Sequence, residues 1–121
     1  MYPEYKSESG TFQELIHKDD VVFGQISYLV IYPGHTRGGH YHKRKAEWFM
    51  LLKGECVLIV KGVNVDIMNR QVDMERKELY PCHPFEKHWV HNTGTEPVEM
   101  LVVSSEVYNP NDPDTIKEDE G

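Results

Sequence analysis

Two histidine clusters hold the residues whose types and spacing favour chemistry in this chain. The first cluster reads G-x5-H-x-H-x4-E-x6-G and contains His40, His42 and Glu47, while the second contributes His88. On a β-strand, residues two apart share a face, so His40 and His42 are expected to point in one direction. A set of imidazoles with one carboxylate suits a divalent transition metal such as Zn, Fe, Ni or Mn. The sequence therefore predicts a metal site, with Zn as the first choice and His40, His42, Glu47 and His88 as ligands.

The same region also fits a site without a metal. In that case His40 is the candidate catalytic base, because imidazole titrates near neutral pH. If all the histidines bind metal, the base comes from elsewhere and the sequence does not name it. Arg37 is a candidate for substrate binding, since a guanidinium can hold a diphosphate with two hydrogen bonds, although a packing role beside Gly38 and Gly39 fits equally well. Lys45 is a second candidate, because it closes a basic run that attracts phosphate.

Composition limits the kind of partner that the chain can bind. A length of 121 residues fits a single domain, 1–121, and a net charge of −7 argues against duplex nucleic acid. No apolar run reaches the length of a membrane span, and no signal peptide is expected. Cys56 and Cys82 lack C-x-x-C spacing, which favours reduced thiols and a cytoplasmic setting. The acidic end, from about residue 116, is predicted to be a flexible tail.

Strand candidates alternate with turn residues along the chain, and no helix is predicted. Frequent Val, Ile, Tyr and Thr residues, with 9 glycines and 7 prolines, favour an all-β class. The predicted strands are residues 11–17, 22–32, 40–42, 46–52, 56–61, 63–68, 75–80, 88–92 and 98–103, while 69–74 is predicted to be a loop. Short strands with regular turns are typical of a sandwich or barrel. His91 lies three positions after His88, so strand parity excludes it as a ligand.

The predicted strand 46–52 is apolar on both faces. Trp48, Met50 and Leu52 share the face opposite to Glu47. A small antiparallel sheet with one solvated face should instead alternate apolar and polar residues. A second copy of the chain is the simplest cover for this face, which predicts a two-fold homodimer. The alternative is that loops and terminal segments of the same chain cover it.

Both histidine clusters resemble the motifs of the cupin family. The first motif is matched at every fixed position, by Gly34, His40, His42, Glu47 and Gly54. The second is matched in part, by His88 and Asn92, with Phe85 in place of its glycine. This resemblance implies a single-domain jelly-roll β-barrel, in agreement with the all-β prediction. It implies less about function, because cupins support many chemistries.

A narrower resemblance extends over nearly the whole chain. Residues 9–15, 33–42 and 106–115, together with Lys45, Glu47, Phe49, Gly54 and Glu55, are similar to the C-terminal cupin domain of CapF-type capsular-polysaccharide enzymes. In that family the cupin domain binds zinc and epimerises a keto sugar nucleotide, and a separate reductase domain uses NADPH. This chain contains no glycine-rich nucleotide fingerprint. Arg37 and Gly38 beside His40 also resemble the metal-free deoxysugar 3,5-epimerases and dTDP-keto-sugar 3,4-ketoisomerases, in which a histidine at the position of His40 acts as a base.

These resemblances predict a metal-binding cupin that epimerises or isomerises a nucleotide-activated keto-deoxysugar in polysaccharide biosynthesis. The expected partners are a nucleotide sugar and a second copy of the chain, without nucleic acid or membrane. Two alternatives stay open: a non-catalytic metal-binding cupin for a small ligand, and an iron-dependent oxygenase, which uses the same set of ligands.

Overall fold

Ten β-strands form the regular structure of the computed structural model, which describes residues 1–63 and 69–117. In chain order they are β1 (Glu4–Ser7), β2 (Gly10–Gln13), β3 (Gln25–Ile31), β4 (Thr36–His40), β5 (Glu47–Lys53), β6 (Cys56–Gly62), β7 (Arg70–Asp73), β8 (Leu79–Cys82), β9 (Glu86–Asn92) and β10 (Val98–Ser104). β1 and β2 form a hairpin, and the other strands form two antiparallel sheets in the orders β3-β10-β5-β8 and β4-β9-β6-β7. No helix in the described ranges is long and apolar enough to cross a membrane.

The two four-stranded sheets enclose one apolar core. Alternate residues of β5 and β6 point into it, including Phe49, Leu51, Leu58 and Val60. Leu58 and Val60 are almost completely buried, as expected for strands whose inner faces pack against an opposite sheet. The prediction of an all-β, single-domain jelly-roll fold is confirmed.

One predicted loop is wrong. Residues 69–74 contain β7, which pairs with β6 along its whole length. The segment was predicted to be a loop because it is polar, but β7 is an edge strand, where polar residues are expected. Arg70 on this strand forms an ion pair with the buried Glu86 of β9, with 2.5 Å between Nη1 and Oε2. A charged partner inside the fold therefore stabilises a strand that its hydrophobic pattern does not reveal.

Several strand boundaries also differ from the prediction. The first predicted strand, 11–17, corresponds to the shorter β2, and its partner β1 was not predicted. The predicted strand 40–42 shares only His40 with β4. The predicted strand 75–80 begins only at Leu79, after a turn in which Lys77 has a φ of 68°. Of the predicted strand 63–68, residues 64–68 lie outside the described part of the chain.

The outer face of β5 is covered by the chain itself. Met50 is only 1% exposed, so its predicted place on an exposed dimer face is wrong. Met1, Tyr2 and Leu15 lie beside Trp48 along a groove of about 440 Å³. Near Trp48, the N-terminal segment of the same chain therefore covers the outer face of β5, as the alternative prediction proposed.

Exposed apolar residues of the same sheet face lie instead on the edge strand β3. Ile26, Tyr28 and Val30 are at least 40% exposed, and Tyr28 is in register with Leu101 on the face that also carries Met50. Contiguous exposed apolar residues are typical of an interface. The homodimer stays a prediction, and β3 replaces the middle of β5 as the surface that a second copy would cover.

Candidate functional site

Four side chains from both sheets converge between the sheets. His40, His42, Glu47 and His88 each offer a ligand atom, and these atoms all lie within 4.8 Å of one another. The ring centroids of His40 and His88 are 4.8 Å apart, and those of His40 and His42 are 5.1 Å apart. β4 and β9 come from one sheet and β5 from the other, so the cluster lies inside the fold. The structure thus brings together all four of the predicted metal ligands.

A bulge at Gly38 and Gly39 turns His40 toward this cluster. The pairing of β4 with β9 shifts between Gly38 and His40, so that both Arg37 and His40 face inward, opposite Val90 and His88. One extra residue in a strand reverses the alternation of its side chains beyond that point. The φ angles of 112° and 84° at the two glycines favour glycine, and a Cβ at Gly38 would lie 2.5 Å from the carbonyl oxygen of His88. The glycine pair therefore has a structural role in placing His40.

Main-chain carbonyl groups fix the orientation of two imidazoles. His42 Nδ1 lies 2.6 Å from the carbonyl oxygen of Asp114, and His88 Nδ1 lies 2.9 Å from that of Glu86. A carbonyl oxygen only accepts hydrogen bonds, so each Nδ1 carries the hydrogen and donates it. In a neutral ring, Nε2 then presents a lone pair to the interior of the site. Such outer hydrogen bonds are typical of histidines that bind metal.

Both Nε2 atoms face the Glu47 carboxylate. Glu47 Oε1 lies 2.7 Å from His42 Nε2 and 3.2 Å from His88 Nε2. His88 Nε2 is buried and has no hydrogen-bond partner in the described structure. Lone pairs and a carboxylate that face each other in a buried site need a cation or a proton between them. Three nitrogen donors and one oxygen donor fit a divalent transition metal.

The charges in the cluster favour an ionised Glu47 carboxylate and a neutral His40 ring. Burial alone would raise the pKa of Glu47, but its short contacts with the His42 and His88 rings lower it below its usual range. Burial, together with the neighbouring His88 and His42 rings, lowers the pKa of His40 to about 4. At neutral pH Glu47 is therefore ionised and the His40 ring lacks its second proton, which is the state that metal binding requires of both groups.

These shifts predict how the stability of the metal-free protein depends on pH. His40 has an unfolded pKa of 6.5 and a folded pKa of about 4, so between these values the unfolded chain binds more protons. The free energy of unfolding should therefore fall as the pH drops from about 6.5 to about 4, and Glu47 should add to the loss below its ordinary 4.5. Urea denaturation of chelator-treated protein at constant ionic strength measures this. In the His40→Gln variant, the free energy of unfolding should change little between about pH 6.5 and 4. A variant with the same pH dependence as the unmodified chain would contradict the assignment of this loss to His40.

A cavity of about 180 Å³ opens onto the cluster. Its polar lining is Arg37, His40, Glu47 and His88, and its apolar walls are Leu29, Phe49, Val90 and Val102. His42 is 3% exposed and does not line the cavity. A ligand in the cavity would therefore meet His40, His88 and Glu47 first, with the Arg37 guanidinium beside them.

The other candidate residues lie away from this cavity. Lys45 is buried, and its Nζ lies 5.9 Å from the centre of the Tyr108 ring. Its role in substrate binding stays a prediction.

His91 faces outward, with its Nδ1 2.7 Å from Thr36 Oγ1, and does not belong to the metal-ligand cluster. Sequence reasoning missed Asp114, because it stands in an acidic segment that resembles a solvated terminus.

The two facing sheets with a histidine and glutamate cluster between them define a cupin. More narrowly, the chain belongs to the polysaccharide biosynthesis C-terminal domain family, which matches residues 5–116. It is 32% identical to the UDP-2-acetamido-2,6-beta-L-arabino-hexul-4-ose reductase of Pseudomonas aeruginosa, over 93% of this chain and 30% of that protein.

Solved structures give the same relationship. The capsular polysaccharide assembling protein CapF of Staphylococcus aureus superimposes with a TM-score of 0.73 and 26% identity, over 96% of this chain and 34% of CapF. The predicted resemblance to CapF is thus confirmed. A second neighbour is the 3,4-ketoisomerase QdtA of Thermoanaerobacterium thermosaccharolyticum, solved with TDP-4-keto-6-deoxyglucose. It superimposes with a TM-score of 0.76 over 97% of this chain and 83% of QdtA. Its identity of 17% shows a likeness of fold. The chain spans about a third of the length of the reductase and of CapF.

Proposed function

We propose that this chain is a metal-dependent epimerase or isomerase of a nucleotide-activated keto-deoxysugar in polysaccharide biosynthesis. The observation that carries the proposal is a cavity lined by three of the four clustered metal-ligand candidates, with Arg37 beside them. The family description and the reductase and ketoisomerase relatives, which are named for nucleotide or keto sugars, support the substrate class.

The metal in this proposal is a divalent transition metal, with zinc as the first choice. His40, His42, Glu47 and His88 would hold it through the imidazole nitrogens and the carboxylate. A zinc ion supplies Lewis acidity for the negative charge that develops on a carbonyl oxygen. The Asp114 and Glu86 carbonyl groups keep His42 and His88 in the tautomer that leaves each Nε2 available.

The reaction in this proposal begins with removal of a proton from carbon. A carbon next to the carbonyl group of a keto sugar has a weakly acidic C–H bond, and a base takes its proton to give an enolate. Return of a proton to the other face epimerises that carbon. Where that carbon carries a hydroxyl group, transfer of the hydroxyl proton to the enolate oxygen and return of a proton to the former carbonyl carbon together move the ketone. If His40 is not a ligand, its lowered pKa leaves it neutral and able to accept the proton at pH 7. If His40 binds the metal, the base is a different group.

The cavity is too small to hold the whole of the proposed substrate. Its volume of about 180 Å³ is below the roughly 300–1,000 Å³ of pockets that enclose most of a drug-sized ligand. In the proposed complex the sugar ring enters the cavity, and the nucleotide lies outside it. Arg37 is exposed and lines the cavity, which supports a role for it in binding the diphosphate between the two.

Hydrogen exchange in heavy water tests this function. Zinc-loaded protein is incubated in D2O with UDP-linked and dTDP-linked 4-keto-6-deoxy sugars, and deuterium is located by NMR and mass spectrometry. We expect deuterium on the carbon next to the carbonyl, well above the rate without protein and lost after chelation. An exposed-site variant, His35→Ala, should exchange as the unmodified chain does. Binding without exchange for both nucleotides would favour a non-catalytic small-ligand cupin, and oxygen consumption with iron would favour an oxygenase.

The reductase activity of the Pseudomonas relative is not part of this proposal, because the chain spans only 30% of that protein. A keto sugar produced at this site would instead be the substrate of a separate reducing enzyme.

We place the activity in the cytoplasm, in line with the two free thiols, Cys56 and Cys82, which are both buried.

A further inference from the structure

Asp114 makes an unusual number of contacts with the segment that joins His42 to Glu47. Its carboxylate accepts hydrogen bonds from the main-chain N–H groups of Lys43, Arg44 and Lys45, each at 2.9 Å. Consecutive N–H groups that converge on one anion form a nest, which favours negative charge. Burial alone would raise the pKa of Asp114, but these three bonds and the nearby Arg44 lower it, so the carboxylate is charged at neutral pH.

The main chain of Asp114 binds the ligand ring itself. Its carbonyl oxygen accepts the hydrogen bond from His42 Nδ1 at 2.6 Å. One residue therefore holds both the His42 ring and the segment 43–45 that connects this ring to Glu47. Asp114 has a φ of 48° and is only 9% exposed, so its backbone turns inside the fold to make both sets of contacts.

The residues around Asp114 fasten this part of the C-terminal segment to the barrel. We refer to residues 112–116 as the C-terminal strap. Ile116 and Tyr41 exchange two main-chain hydrogen bonds, of 3.1 and 2.9 Å, next to His42. At the other end, the Arg44 guanidinium lies 3.3 Å from Asp112 and 2.6 Å from Glu106. The strap is thus held on both sides of Asp114, which keeps its carbonyl group aimed at His42.

We propose that Asp114 is a positioning residue of the metal centre, because its carbonyl sets the His42 tautomer while its carboxylate fixes the 43–45 segment between two metal ligands. This inference rests on the proposed metal site and adds the C-terminal strap as the element that sets its affinity. The strap acts through His42 and Glu47, and it does not touch the cavity. A loosened strap lets the His42 ring rotate and lets the distance from His42 to Glu47 vary, so that the metal loses a preformed site.

Asp114→Gly tests the proposal, because glycine keeps the positive φ and removes only the carboxylate. Zinc affinity is measured by competition with a chromophoric chelator, and the His42 Nδ1–H is observed by NMR of 15N-labelled protein. We expect zinc to bind about 10- to 100-fold more weakly, as is typical when an outer partner of a metal ligand is lost. The Nδ1–H signal, shielded from solvent exchange in the unmodified chain, should broaden in the variant.

Two further variants separate positioning from general stability. Glu106→Gln leaves Asp114 and the ion pair of Arg44 with Asp112 of the strap intact, and it should bind zinc within about twofold of the unmodified chain. Asp114→Asn tolerates the positive φ and keeps one acceptor oxygen, so its affinity should lie between those of the aspartate and glycine forms. If Asp114→Gly does not fold, Asp114→Asn is compared with the unmodified chain instead.

The outcomes also separate this inference from the proposed function. If Asp114→Gly folds, binds zinc within twofold of the unmodified chain and keeps a sharp Nδ1–H signal, the positioning role is wrong and the metal site stands. If the unmodified chain binds no zinc, the proposed metal site is wrong. The Nδ1–H signals of the two metal-free proteins then decide whether Asp114 orients His42, and equal signals would overturn the inference.

Discussion

Replacement of His40 by alanine is expected to abolish zinc binding and deuterium exchange together. The four ligand atoms lie within 4.8 Å of one another, and removal of one leaves a buried carboxylate with fewer donors for the cation. The loss of affinity should exceed the roughly 10- to 100-fold that follows loss of an outer partner. Protein purified without a metal-affinity tag is analysed for bound metal and then titrated with zinc. The unmodified chain should contain near-stoichiometric metal.

His88→Ala and His35→Ala make this experiment specific. His88 belongs to the same cluster, so its variant should lose zinc as well. His35 is exposed and outside the cluster, so its variant should keep full metal content. A His40→Ala protein that retains zinc but loses exchange would make His40 the base, with the metal held by the other three residues. Full exchange by unmodified protein with an empty site would remove the metal from the mechanism.

The first motif predicts which side chains converge in the fold, because its spacing encodes which of them face inward. The prediction placed His40 and His42 on one strand, yet β4 ends at His40. His42 still faces inward because Tyr41 pairs with Ile116, and this pairing continues the alternation of side chains beyond the strand. The bulge at Gly38 could not be located from spacing alone, since it depends on how β4 meets β9.

Long-range contacts account for what the sequence could not predict. Asp114 is 72 positions from His42, and its acidic neighbours resemble a solvated tail. The sequence predicts a loop in place of β7 because the segment is polar, and the buried partner of Arg70, Glu86, lies 16 positions away on β9. The apolar outer face of β5 was read correctly as a face that needs a cover, but a single strand cannot tell which part of the protein covers it. In each case the local pattern shows that a segment is polar or apolar, but only the tertiary fold shows which residues contact it.

Arg37→Ala should weaken nucleotide-sugar binding without changing metal content. The side chain lines the cavity beside His40, but it is not one of the clustered ligands. Hydrogen bonds to a charged group contribute about 1.5–3 kcal/mol, so the dissociation constant of UDP or dTDP should rise roughly 10- to 100-fold. Arg37→Lys should recover only part of this affinity, because an ammonium group cannot form the paired hydrogen bonds of a guanidinium. Calorimetric titration of zinc-loaded protein with each nucleotide measures both effects.

A neighbouring exposed lysine provides the matched control for Arg37. Lys43 belongs to the basic run after the first histidine cluster but does not line the cavity, so Lys43→Ala should change nucleotide affinity only through long-range charge. That smaller effect should disappear as the salt concentration rises, whereas a direct contact from Arg37 should persist to higher salt. The opposite result for Arg37→Ala, with unchanged nucleotide affinity but a lower melting temperature, would assign Arg37 to packing beside the Gly38 bulge. The diphosphate would then need a different anchor at the mouth of the cavity.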